Sequence, residues 1–163
     1  MNAASALPAI DLDRIYAVGY ALGGKVGLLT AALDERIKAV AAISGFDPLR
    51  LDSPAKGVEG VRQYSHLHGL IPRFGFFAGY EDRLPLDFDE VLAMVAPRST
   101  LIVAPTMDRY ARVEDVEREV EGARRVYEHY GRSKALQINT PVEFNRFSGQ
   151  LQQQVFNWLG GLE

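Results

Sequence analysis

Residues 19–24 read Gly-Tyr-Ala-Leu-Gly-Gly, between the apolar run RIYAV and the run KVGLLTAAL, which has helical character. A strand, a glycine-flanked turn and then a helix is the setting of G-x-S-x-G, which exposes a nucleophilic serine. Ala21 stands where that serine would be, and a methyl group carries no lone pair with which to attack a carbonyl. A phosphate loop is the rival reading of these glycines. It fails at Val26, where G-x-x-x-x-G-K-[ST] needs a hydroxyl for the metal, and G-x-G-x-x-G is not matched either.

Other residues could do chemistry. His66 and His68 are two of the three histidines in the chain. At i, i+2 they share a side only in an extended segment, with no third metal ligand nearby beyond Glu81 and Asp82. Structural hydrogen bonding is the plainer role, and service as a general base is the sharper one. No metal and no cofactor is expected. The stretch FGFFAGYEDRLPLDFDE mixes aromatics with five acids. Phe74, Phe76, Phe77 and Tyr80 in it are either core or the wall of an apolar cavity. His129 ends a charged helix and is read as solvent-facing, as is the face carrying Glu121 and Arg125, an i, i+4 pair.

The chain has 163 residues, 47% hydrophobic and 24% charged, with a formal net charge of −3 and no cysteine. That suits one globular domain and offers nothing to nucleic acid or an anionic membrane. Disulfides, thiolate nucleophiles and cysteine-bound metals are excluded. The start, MNAASALPAIDLDR, lacks the basic and apolar regions of a signal peptide, and no apolar run nears the ~20 residues of a membrane helix. A soluble, cytoplasmic protein is the expectation.

The elements that must position these groups follow from periodicity. Strands are expected over 14–18, 37–44, 100–106 and in ALQINT. The second is continuously apolar, as in a strand buried on both faces. Helices are expected over about 23–34, over DFDEVLAMVA with Asp87 as N-cap, over 113–131 and over SGQLQQQVFNWLGGL, with a short one over 59–67. In 113–131, Val113, Val116, Val120, Ala123 and Tyr127 fall at helical spacing, and Gly131 is a natural stop. Strands alternating with helices imply right-handed crossovers. The fold class is α/β: a mostly parallel sheet of about four strands with helices on both faces. Residues 45–88 form a lid-like insertion in a single domain, 1–163.

This order resembles the C-terminal half of an α/β-hydrolase, in the dienelactone hydrolase and acetyl esterase neighbourhood. The matching segments are DRIYAVGYALGGKVGLLTAALDERIKAVAAISGF, APRSTLIVAPTMDRYARVEDV and NRFSGQLQQQVFNWL. The resemblance implies a nucleophile position at Ala21 and an oxyanion-hole donor in the N–H of Leu22, with Tyr20 beside them. It places the triad acid at Asp108. The histidine falls in TPVEFNRFS, where Glu143, Phe144 and Asn145 are the candidates and none is a histidine. Glu143 is taken as the histidine-loop position, either paired with Arg146 or Arg109 or acting as a base for water. Phe76 and Phe77 are taken as pocket residues.

A domain with so few residues before its elbow strand is expected to leave that strand at or near a sheet edge. An apolar edge strand invites another chain. A homo-oligomer or a partner chain covering this edge is therefore expected. The function implied is binding of a small ester-like or acyl ligand, or a partner, with weak or no esterase activity. The alternative is a carboxylester hydrolase whose serine is replaced by Ala21, or which uses Glu143, His66 or His68 as base.

Overall fold

A computed structural model describes residues 7–52, 61 and 71–162. Among these, four strands form one parallel sheet: β1 Tyr16–Tyr20, β2 Ala39–Ile43, β3 Ser99–Val103 and β4 Leu136–Asn139, in the spatial order of the sequence. Four helices accompany them: α1 Leu22–Leu33, α2 Phe88–Val95, α3 Val113–His129 and α4 Gly149–Gly160. The expected elements are present with ends shifted by a few residues, as frayed termini allow. The short helix expected over 59–67 lies outside the described residues, apart from buried Val61.

Helices cover both faces. Leu28 and Ala31 of α1, Val91, Leu92 and Val95 of α2, and Val116, Val120, Ala123 and Tyr127 of α3 pack with Val40, Ala42, Ile102 and Leu136 on one face. Leu151 and Val155 of α4 pack with Ala41, Ile43, Leu101 and Val103 on the other. Burial of both faces explains why β2 is apolar without alternation. The α3 stripe is the one its spacing implied, and Gly131 beyond it has φ +66. On its outer face Glu121 bonds Arg124 at 3.0 Å, three residues on, instead of Arg125.

The strand β1 is an edge among the described residues. Ile15 O accepts from Lys38 N and Ala21 N donates to Ile43 O, so odd-numbered residues face β2. The N–H and C=O groups of Tyr16, Val18 and Tyr20 therefore point away from the sheet.

The turn after β1 exists because backbones touch. A Cβ on Gly19 would lie 2.1 Å from Gly23 O, and one on Gly24 would lie 2.8 Å from Gly45 Cα. Backbone atoms cannot step aside, so only glycine lets α1 start this close to the strand ends. The resulting bend holds Ala21 at φ 49, ψ −119. For a residue with a Cβ this costs on the order of 1–3 kcal/mol.

The insertion is tied to α2 by Asp87, which is buried and accepts from the N–H groups of Leu49, Arg50 and Phe88 at 2.7–2.8 Å. Glu90 completes a capping box and bonds Arg50 at 2.8 Å. Across the helix pair, Asp89 N donates to Glu119 of α3 at 2.8 Å. The Arg50 guanidinium thus pairs with Glu90 at 2.8 Å and with Asp89 at 4.0 Å. Burial, with Asp87 and Asp89 adding to it, pushes Glu119 up to about 7. Burial and the neighbouring Glu90 push Asp89 up to about 6. Glu90, although burial works upward on it, is held down to about 2 by its bonds with Asp89 and Arg50.

Two outcomes are expected. Ala21→Gly should relieve the strained φ and, after the entropy glycine adds to the unfolded chain, raise stability by about 1 kcal/mol in denaturant titrations. A loss of stability would mean that Ala21 carries no strain. The second concerns pH. Glu119 and Asp89 bind protons more tightly when folded, so the stability they confer is full below their ordinary values and is lost as pH rises toward about 7. Glu90 acts oppositely, losing its contribution as pH falls toward about 2. Stability should therefore peak near pH 4–5 and fall by about 1–2 kcal/mol by pH 8, after discounting for solvent screening. Thermal melts of Glu119→Gln should show a flatter alkaline limb. Superimposable profiles would remove Glu119 from this role.

Candidate active site

The carboxyl ends of the four strands are laddered by single hydrogen bonds: Ala21 N to Ile43 O, Ser44 N to Val103 O and Ala104 N to Asn139 O, each at 2.8–2.9 Å. Chemistry in a parallel sheet collects at this edge, where turns and helix N-termini meet. The elbow is held from both sides, since Ala21 O accepts from Gly24 N at 2.9 Å and Lys25 N at 3.2 Å. No side chain caps α1, so the N–H of Leu22 heads a helix start with no side-chain acceptor of its own. That is the place an oxyanion donor would occupy.

Beyond β3 and β4 the chain continues as two loops running side by side. Thr106 N donates to Pro141 O at 2.9 Å and Met107 N to Glu143 O at 3.0 Å. This pairing brings Asn145 to Asp108. The Asn145 amide Nδ2 donates to Asp108 Oδ2 at 2.8 Å, while Asp108 Oδ1 accepts from Tyr110 N at 2.9 Å. A carboxylate only accepts, which turns the amide oxygen the other way. There Oδ1 accepts from the Tyr20 hydroxyl at 2.7 Å, and the Asn145 carbonyl lies 2.8 Å from the same hydroxyl. Tyr20 also stacks against Phe147, centroids 6.4 Å apart.

The chain Tyr20–Asn145–Asp108 has the connectivity of a hydroxyl, an imidazole and an acid. Asn145 donates to the carboxylate and accepts from a hydroxyl beside the elbow, as a neutral histidine would. An amide oxygen is too weak a base to take the hydroxyl's proton. The three side chains are thus linked by hydrogen bonds in series.

Among the expected site residues, the structure brings together Tyr20, Ala21, Leu22 and Asp108. It seats Asn145, rather than Glu143, against the acid. Glu143 points to Arg146, with Nε–Oε1 2.8 Å and Nη2–Oε2 3.1 Å. That arginine, and the N–H of Phe144, hold its carboxyl below the usual range, so it is an ion-pair member here. Phe144 is exposed. The pocket reading of the aromatics is corrected as well. Phe76 is 85% exposed, Phe77 packs against the core and Phe74 lies in it, while Tyr80 stands out toward solvent under Arg83. None of them lines the small cavity at the carboxyl edge, which Ser44, Phe46, Val103, Ala104 and Asp108 enclose. His66 and His68 lie outside the described residues.

Sequence reasoning missed Ser44. It has φ 47 and a buried hydroxyl without a hydrogen-bond partner, in that same cavity with Asp108. The signal was its position directly after the most buried strand. Among the described residues no three His, Cys, Asp or Glu groups gather to hold a metal, and no helix is long and apolar enough to cross a membrane.

Comparison with known proteins gives the family and the fold. The family model described as "Glucuronyl esterase, fungi" matches residues 2–131. A carbohydrate esterase from an unknown prokaryotic organism is 31% identical over 125 residues, which is 75% of this chain and 29% of that protein. A glucuronoyl esterase structure from Solibacter usitatus superimposes with a TM-score of 0.80 at 14% identity, covering 98% of this chain and 45% of its own. One from Caldicellulosiruptor kristjansonii gives 0.74 at 24% identity, covering 94% and 43%. The chain thus spans less than half the length of these relatives, and the structural likenesses speak for the fold. On the family match, the chain belongs to the glucuronyl esterase family, with the fold of an α/β-hydrolase-type esterase domain.

Proposed function

We propose that this domain carries a carboxylester site for esters of sugar acids, silenced at its nucleophile. In the chain as it stands, the site binds such a ligand and hydrolyses it weakly or not at all. The observation that carries this reading is the Tyr20–Asn145–Asp108 chain beside a strained elbow occupied by alanine. Family membership supports the ester chemistry and the class of acyl group. The absent hydroxyl at residue 21 and the amide in the histidine's seat remove covalent attack and proton transfer separately.

The roles follow residue by residue. The N–H of Leu22 polarises the ester carbonyl placed over the Ala21 methyl. Asp108 fixes the Asn145 amide, which fixes the Tyr20 hydroxyl at the rim. No cofactor takes part in this scheme. A water-based hydrolysis with His66 or His68 as base is the second reading, favoured by the family's esterase character.

Two missing functions should need two repairs. Nitrophenyl acetate and the methyl ester of glucuronic acid are suitable substrates. Neither Ala21→Ser nor Asn145→His alone should hydrolyse them appreciably, while the double variant should exceed either by at least about 100-fold, since triad members act as a unit. A double variant no better than the singles would sink the reading. Turnover by the unaltered chain well above a heat-denatured control would favour the water route instead.

A further inference from the structure

On the outer side of Asn145 the paired loops frame a second feature. Met107 and Arg109 from the loop after β3 face Phe144 and Asn145 from the loop after β4, around an open surface cavity of about 400 Å³ that Tyr110 also lines. Met107 and Phe144 are 46% and 57% exposed, and their backbones form a parallel bridge. The backbones that carry these two walls are therefore held together by main-chain pairing.

The charges around it are unevenly matched. Both Asp108 oxygens already accept from Tyr110 N and Asn145 Nδ2. Glu143 is taken by Arg146. Arg109 makes no ion pair among the described residues. Its guanidinium lies 4.5 Å from the Tyr110 ring centroid and donates to that tyrosine's hydroxyl. With one donor on the Tyr110 hydroxyl, the remaining N–H groups of the fork can serve a planar anion. Beside it, Met107 and Phe144 offer apolar surface to the face of a ring.

We propose that this cavity binds the free acid form of a sugar acid, its ionised carboxylate on Arg109 and its ring face on Phe144 and Met107. This rests on the proposed ester site, with which it shares Asn145, and it reverses the preference expected of a working esterase. An esterase must hold the neutral ester. A silenced site with an adjacent unpaired guanidinium favours the carboxylate that hydrolysis would release. Arg109 is then the residue that sets specificity, and the domain acts as a receptor for acidic saccharide.

The test is binding of D-glucuronate, its methyl ester and D-glucose to the intact chain, followed by calorimetry or amide chemical shifts at low salt. The acid should bind about 10-fold more tightly than the ester, as one charge-assisted contact allows. Arg109→Gln should reduce that ratio to less than about 2-fold, and Arg109→Lys should keep part of it. Arg118→Gln, on the exposed face of α3, should leave it unchanged. Equal binding of acid and ester, an acid preference that survives Arg109→Gln, or no binding of either would overturn the proposal. If the Ala21→Ser, Asn145→His double variant hydrolyses esters while the acid shows no preference, this inference alone fails and the ester site stands.

Discussion

Everything at the carboxyl edge depends on one steric constraint, the backbone contact of Gly19 with Gly23 and of Gly24 with Gly45. Because no Cβ intervenes, α1 begins directly over the strand ends and the chain must reverse within a single residue. That residue is Ala21, and its positive φ is the consequence. The same contact sets where the Leu22 N–H lies and how far Tyr20 reaches toward the loop after β4. A cramped elbow with an unreactive residue at its tip shows that the bend is a property of the glycines and not of the nucleophile.

A second dependence runs through the paired loops beyond β3 and β4. Their main-chain bonds continue the sheet past its last regular residues, so Asp108 and Asn145 meet although 37 residues separate them. The contact is electrostatically simple: a carboxylate takes an amide N–H, and the amide then offers its oxygen to a phenol. What distinguishes it from a catalytic relay is basicity. Hydrogen bonds of the same connectivity can hold a site in shape while transmitting no proton.

The insertion is organised by a different interaction. Asp87 gathers three N–H groups from two segments, and Arg50 with Glu90 closes the same corner. Phe46 lines the small cavity beside Asp108, while Phe74 and Phe77 serve the core and Phe76 and Tyr80 face solvent, so most of the described insertion acts as a cover for the sheet's helical face. Burial and the crowding of carboxylates between α2 and α3 push both Glu119 and Asp89 above the usual carboxylate range.

Periodicity and turn chemistry alone determined the strands and helices, the apolar β2, the α3 stripe from Val116 to Tyr127, the Asp87 cap, the glycine elbow and the place of Asp108 after β3. These are local: each depends on the spacing of a few neighbouring residues. Only the tertiary structure shows that Asn145 bonds Asp108 while Glu143 bonds Arg146, because a two-residue difference in a loop turns on which backbone groups pair with Pro105–Asp108, and pairing across 37 residues leaves no local trace. It also decided that Phe76 faces solvent and that the Ser44 hydroxyl is buried. Such outcomes depend on how distant segments fill the space around a side chain, which composition and spacing do not contain.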